Sequence, residues 1–187
     1  MIDVDSVCLR EARVSDAPRM ARVFMAGWQD LHASLLGPDW VNPQDLEDLR
    51  KRWQYAVEAC GKSRLSGSDR RWDEFLVLES KGVVNGVLWV GDCVRVEDPK
   101  LGEVKWLSVD PVVCGQGLGS FLLSAAEHRI RGMGRTEGTI WVTEGNEAGL
   151  RLLKSHGWRL ASSVWVREVN IDGFPLRRLR YVKSFRD

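Results

Sequence analysis

The chain has almost no excess charge: 27 Lys and Arg stand against 26 Asp and Glu, for a net +1. Binding nucleic acid or an anionic membrane calls for a basic field, and none is present. No apolar run approaches the ~20 residues of a membrane-spanning helix. The opening MIDVDSV is acidic and too poor in apolar residues for a signal peptide. Cys8, Cys60, Cys93 and Cys114 form no CxxC pair; reduced thiols in a cytoplasmic protein are the expectation. His32, His128 and His156 lack metal-ligand spacing, so no metal is expected. No GxxxxGK[ST] loop is present to take a nucleoside triphosphate. Repeats and domain-scale linkers are missing as well. With 187 residues, 44% of them hydrophobic, a single domain over 1–187 with a full core is expected.

What the chain does have is a glycine-punctuated junction, SVDPVVCGQGLGSFLLSAAE, from Ser108 to Glu127. Val104 to Val109 reads as a buried strand, ended by Asp110 and Pro111 because proline has no N–H for a ladder. Gly115, Gly117 and Gly119 follow. Leu118, Phe121, Leu122, Ala125 and Ile130 then recur at helical spacing. A glycine loop feeding a helix start leaves backbone N–H groups without intrahelical partners, which suits a phosphate. The order of the glycines does not match GxGxxG, and no acidic residue ends a strand about twenty residues on, against a dinucleotide fold. The same glycines would also serve a plain close-packed turn.

The rest reads as alternating elements. Val7 to Arg13 is a strand, and Ser15 caps a helix over about Asp16 to Gly27. Gln29 to Trp40 continues as short helix or loop. Asn42 caps a second helix, with Pro43 first, to about Cys60. Gly61 to Arg71 is loop-like. Glu74 to Glu79 and Val83 to Val90 form a hairpin around Lys81-Gly82. Thr139 to Thr143 is a strand, and Asn146 opens the last helix. Trp158 to Val169 and Phe174 to Ser184 are long strands around Asp172-Gly173, a strong turn signal. This order gives an α/β sheet with a strand–helix–strand crossover.

Cys114-Gly115-Gln116-Gly117-Leu118-Gly119 resembles motif A of the GCN5-related N-acetyltransferases (GNAT), [QR]xxGx[GA]. Asn146 to Trp158, NEAGLRLLKSHGW, resembles the family's second signature, and CLREARVSDAPRMARVFMAGWQDLH its first strand and helix. The resemblance implies a mixed, mostly antiparallel twisted sheet of about six to seven strands, about four helices and a splayed central strand pair. It also implies acetyl-CoA as acyl donor, with no metal, and an amine acceptor attacking directly.

On that resemblance, the pyrophosphate would lie on the N–H groups of Gly115, Gln116, Gly117, Leu118, Gly119 and Ser120, with Cys114 beside them. The pantetheine arm would pair with the backbone of Leu107, Ser108 and Val109, and Asn146 would bond it or simply cap its helix. The Val109 N–H would stabilise the oxyanion. Glu103 reads either as the base that takes the amine's proton or as a solvated edge glutamate. Two positions depart from the pattern. Cys114 replaces Arg or Gln, and reads as a packing residue before a nucleophile. Leu153 replaces the tyrosine that many members use as general acid, leaving Ser108 and Ser155 as substitutes; Gly149 replaces the motif's alanine.

The acceptor would meet Gly27 to Trp40, Gly61 to Trp72 and Trp165 to Arg180, with Trp28, His32, Trp72 and Trp165 as an aromatic wall. Arg177, Arg178 and Arg180 form a basic strand stretch that is either solvated or suited to an acidic group. A small-molecule amine is the first reading, and a protein N-terminus or lysine the second. A domain that binds acyl-CoA without turnover, as sensor or assembly module, is the alternative. The terminal hairpin could pair across a two-fold axis as a homodimer.

Overall fold

A computed structural model of the chain describes residues 7–37, 39–40, 44–66, 72–93, 98–161, 166–171 and 174–185. The elements run β1 (Val7–Glu11), α1 (Ala17–Leu36), α2 (Leu46–Ser66), β2 (Asp73–Ser80), β3 (Val83–Asp92), β4 (Leu101–Val109) and α3 (Leu118–Gly132). Then come β5 (Glu137–Thr143), α4 (Glu147–Ser155), β6 (Arg159–Leu160), β7 (Val166–Ile171) and β8 (Phe174–Ser184). The strands form one eight-stranded sheet, ordered β1-β2-β3-β4-β5-β8-β6, with β7 also on β8. β4 and β5 are parallel, while β1–β2, β5–β8, β6–β8 and β7–β8 are antiparallel. The mixed, mostly antiparallel α/β class is therefore as expected. The eighth strand arises because the stretch expected as one strand, Trp158 to Val169, contributes both β6 and β7.

The chain divides into two compact units. The first is Met1–Trp89 with Trp106–Leu122. Its core packs Ala17, Met20, Ala21, Val23 and Phe24 of α1 with Leu49, Trp53 and Val57 of α2, and with Phe75, Val77, Val84 and Val87 of the sheet. The expected Ser15 cap is not used. A 3-10 turn over Val14–Asp16 precedes α1. Asp16 takes the Arg13 N–H at 2.7 Å and pairs with Arg10 at 2.7 Å. Burial would raise the Asp16 carboxyl, but the hydrogen bonds from Arg10 and from the Arg13 backbone outweigh it and hold the group below its ordinary range.

Helix α1 runs unbroken through Gly27, where the sequence suggests an end. A Cβ on Gly27 would lie 2.7 Å from Ser108 Oγ, so the glycine marks the close approach of α1 to β4. The helix ends at Leu36, and Gly37 at φ +109° turns the chain. Asn42 and Pro43 lie outside the described residues. Asp45 instead caps α2, its Oδ1 accepting the Asp48 N–H at 2.8 Å. α2 passes Cys60 and reaches Ser66, into the segment expected to be loop. The β2–β3 turn is as expected, with Lys81 at φ 52° and Gly82 at φ 76°.

The second unit is Val90–Lys105 with Leu123–Asp187. Gly102 lets Ile130 of α3 sit on β4, since a Cβ there would meet Ile130 Cγ2 at 2.7 Å. The Glu127 carboxylate, buried on α3, accepts from Trp158 Nε1 at 2.8 Å and Lys183 Nζ at 2.7 Å, joining α3 to the end of α4 and to β8. The β7–β8 register brings Ile171 opposite Phe174. Asp172 and Gly173, the expected turn, lie outside the described residues. On α3 the buried stripe is Leu118, Leu122, Leu123, Ala126 and Ile130, and Phe121 is 46% exposed although its spacing suggests the inner face.

Candidate active site

The exit of β4 is fixed from several sides. The Asp110 N–H donates to Asn85 O at 2.8 Å. Its carboxylate accepts the Val112 N–H at 3.1 Å and Arg19 Nη2 at 2.6 Å, and Arg19 Nε also donates to Val84 O at 2.7 Å. A short 3-10 turn, Pro111–Val113, leads into the glycines. Gly115 and Gly117 have φ of 79° and 81°, the left-handed region that glycine adopts without strain. An ideal Cβ on either would meet nothing within 4 Å. The first helical bond of α3 runs from the Phe121 N–H to Gly117 O at 3.0 Å. The N–H groups of Leu118 and Gly119 therefore lie ahead of the first such donor, at the positive end of the helix dipole. The Leu118 side chain is buried, so its part in the loop is its backbone. This open cradle of backbone donors fits the diphosphate of a nucleotide cofactor.

Cys114 stands exposed at the loop's start rather than packed inside as its residue type suggests, its sulfur 3.6 Å from Asp110 O. Partial burial pushes its thiol above the ordinary range, and the Asp30 and Asp110 carboxylates push the same way. Such a thiol stays protonated and is a poor nucleophile.

β4 keeps company with β5 for only part of its length. The parallel ladder pairs Leu101, Gly102, Glu103 and Val104 with Glu137, Gly138, Thr139 and Ile140. Among the described residues, β5 offers no partner from Lys105 to Val109. Leu107 and Val109 are half-buried there. Ser108 is turned to α1 and buried, its hydroxyl donating to Val23 O at 3.4 Å. The Ser155 hydroxyl is likewise engaged, with Leu152 O at 2.9 Å. Leu153 is 2% exposed, a core leucine.

Glu103 is 9% exposed, and its carboxylate has no hydrogen-bond or ion-pair partner among the described residues. Thr139, its neighbour in register, donates to Tyr181 O at 3.2 Å and accepts from the buried Arg180 at 2.9 Å. The Glu103 oxygens are not among the fully enclosed unpaired atoms and so keep contact with solvent. Asn146 caps α4, its Oδ1 taking the Gly149 N–H at 2.9 Å. A Cβ on Gly149 would lie 2.9 Å from Asn146 Nδ2. The glycine in place of alanine thus makes room for this folded-back side chain.

An aromatic stack faces the last part of β4 in the first unit. Trp106 lies 4.3 Å from Phe24, which lies 5.6 Å from Trp28; Trp28 lies 4.2 Å from His32, and His32 5.1 Å from Trp40. His32 Nδ1 is 2.8 Å from Trp28 O. A carbonyl only accepts, so in the neutral ring Nδ1 is the donor and Nε2 carries the lone pair. Among the described residues, the buried indole N–H groups of Trp28, Trp40 and Trp106 have no hydrogen-bond partner. Trp28 and His32 of the expected wall are thus together. Trp72 is buried at the start of β2 with its N–H on Glu74 Oε1 at 3.1 Å. Trp165 lies outside the described residues. Sequence reasoning missed Phe24, Trp40 and Trp106 as members of the stack. Phe24, Trp28 and His32 recur every four residues, a signal hidden by the helix end read at Gly27.

The sequence model described as the Acetyltransferase (GNAT) family matches residues 36–158. A mycothiol acetyltransferase of Thermobispora bispora is 34% identical over 116 residues, 60% of this chain and 35% of that protein. One of Mycobacteroides abscessus is 33% identical over 67 residues, 36% of this chain and 23% of that protein. The chain thus spans about a third or less of the curated relatives it matches. Its fold is shared with yncA of Salmonella typhimurium, solved with its cofactor acetyl-CoA, at a TM-score of 0.68, 22% identity and coverage of 97% and 95% of the two chains. It is shared also with the PaiA N-acetyltransferase of Thermoplasma acidophilum in complex with coenzyme A, at 0.69, 16% identity and coverage of 96% and 99%.

Proposed function

Because the chain belongs to the acetyltransferase (GNAT) family, we propose that it transfers the acetyl group of acetyl-CoA to the primary amine of a small molecule. The observation that carries this reading is the open cradle at Gly115 and Gly117, set where β4 gives way to α3. Acetyl-CoA supplies an acyl group activated as a thioester. Backbone N–H groups from Gly115 to Ser120 hold its phosphates. Leu107 to Val109 offer strand edge to its amide-bearing arm, and the Asn146 amide donates to the same arm. The Val109 N–H is aimed at the charge that develops on the carbonyl oxygen. Glu103 takes the proton of the attacking amine, whose pKa of about 10.4 otherwise keeps it charged. With Leu153 in the core, no tyrosine assists the departing thiol, whose ordinary pKa of about 8.5 lets it leave as thiolate. The small-molecule acceptor is supported by the name of the curated relatives, mycothiol acetyltransferase.

The test is acetyl-CoA binding by calorimetry joined to thiol release across amines, amino acids and short peptides. Binding with turnover on a small amine is expected. Binding without turnover on any acceptor would instead favour the sensor reading, and absence of binding would overturn both. Glu103→Gln should lower turnover by about 10²–10⁴-fold while leaving the acetyl-CoA affinity unchanged; wild-type turnover in this variant would remove Glu103 from the reaction.

A further inference from the structure

Three indole N–H groups, those of Trp28, Trp40 and Trp106, are buried in one ring stack without an acceptor among the described residues. Buried donors are nearly always satisfied, and each orphan costs free energy. Three in one cluster beside the segment of β4 that carries Ser108 and Val109 point to oxygens that arrive from outside the chain. We propose that this stack seats the non-reacting body of the acceptor amine, and that this body bears uncharged oxygens: hydroxyl, ether or amide carbonyl groups. The proposal rests on the acetyl-transfer reading given above and narrows its acceptor class.

The inventory of the stack selects a neutral body. Its ring contacts join Phe24, Trp28, His32, Trp40 and Trp106, and among the described residues the cations found over a ring lie on Phe185 instead. A buried carboxylate or phosphate would need a cation, and no lysine or arginine belongs to the stack. A second ammonium would seek open ring faces. Here the faces cover one another, Trp106 on Phe24 and Trp28 on His32, and N–H edges repel a cation. Oxygens that accept a single hydrogen bond suit donors of this kind.

The stack also has a way to admit a guest. Trp28 and Trp106 are only half-buried. Trp40 is held to α1 through its backbone, with its N–H on Gly37 O at 3.1 Å and its carbonyl taking Gln29 Nε2 at 3.0 Å. Its ring is therefore positioned by packing alone, and a turn of that ring would present its N–H to a bound oxygen.

The experiment compares matched amines on the whole chain. Aminoethoxyethanol and hexylamine have the same length, but the first carries an ether and a hydroxyl. Cadaverine adds a cation and aminohexanoate an anion. Aminoethoxyethanol is expected to exceed hexylamine in kcat/KM by about tenfold or more, and to exceed both charged amines. Trp28→Phe, Trp40→Phe and Trp106→Phe keep the rings and delete the N–H groups; each should shrink that ratio. A ratio near one in the parent chain, which requires no variant to fold, overturns the proposal. So does a preference for cadaverine or aminohexanoate, or a ratio untouched in all three variants. Calorimetry with acetyl-CoA on the same samples separates the two failures. Absent acetyl-CoA binding would sink the transfer reading, and the stack would then be judged by the tryptophan fluorescence change on adding each amine. Intact acetyl-CoA binding with no oxygen preference would sink this inference alone.

Discussion

Gly27→Ala tests how tightly α1 is set against the strand that carries the site. In an ordinary helix interior this change would stabilise by about 0.5–1 kcal/mol. Here the new Cβ would lie 2.7 Å from Ser108 Oγ, the one atom within 4 Å. A serine hydroxyl has no flexible stem to move, so either β4 shifts or Ser108 changes rotamer. The first is overpacking, at about 1–3 kcal/mol. The second gives up the bond to Val23 O, long at 3.4 Å and worth about 0.5–1.5 kcal/mol at most. Subtracting the helix gain leaves a change near zero if Ser108 turns and a loss of up to about 2.5 kcal/mol if β4 shifts. With a urea slope of about 1–3 kcal/mol/M, the expected stabilisation of the unfolding midpoint should be absent, and the midpoint should fall by up to roughly 1 M. Turnover should fall too, because the shift acts on the residue before Val109. Removing Oγ clears the whole contact, so in a Ser108→Ala background the same alanine should stabilise by about 0.5–1 kcal/mol. The cycle should therefore show a coupling equal to the cost of the contact, about 0.5–3 kcal/mol. Equal effects of Gly27→Ala in both backgrounds would refute the close approach as the reason for the glycine.

Two further outcomes follow from the site and its surroundings. Gly117→Val places a β-branched residue at φ 81° and fills the cradle; acetyl-CoA affinity should drop at least tenfold by calorimetry, and unchanged affinity would contradict the phosphate assignment. Asp16 has a folded pKa below its unfolded value of about 3.9, so its contribution is fully present above that pH and is lost as the pH falls through the folded value. The Asp16→Asn variant should accordingly melt below the parent at neutral pH, with the gap narrowing under about pH 4; a gap independent of pH would show that the Arg10 and Arg13 contacts contribute nothing.

The glycine loop was legible because its requirements are local. Left-handed backbone at Gly115 and Gly117, and a stop at Pro111, follow from residue type alone. The β2–β3 turn and the start of α4 at Asn146 were legible for the same reason. What was hidden depended on distant partners. Gly27 reads as a helix breaker, and only the approach of Ser108 shows why a long helix keeps it. Ser15 has the chemistry of a cap, but Asp16 is held by Arg10, which the sequence does not tie to it. Phe121 has the right spacing for the inner face of α3, but Leu123 and Ala126 complete the buried stripe instead. The low exposure of Glu103 is likewise a property of its surroundings, invisible in a string where it follows Lys100, Leu101 and Gly102.

The ladder between β4 and β5 ends at Val104, while β4 continues to Val109. A stretch of strand open on the edge away from β3 is a template for any extended backbone, foreign chains included. The edge that would let the chain grip a cofactor's amide-bearing arm without reading side chains is thus also an invitation to self-association. On this view the cofactor would act as chaperone to the strand that binds it, and the colloidal stability of the protein would track the supply of CoA as directly as its turnover does.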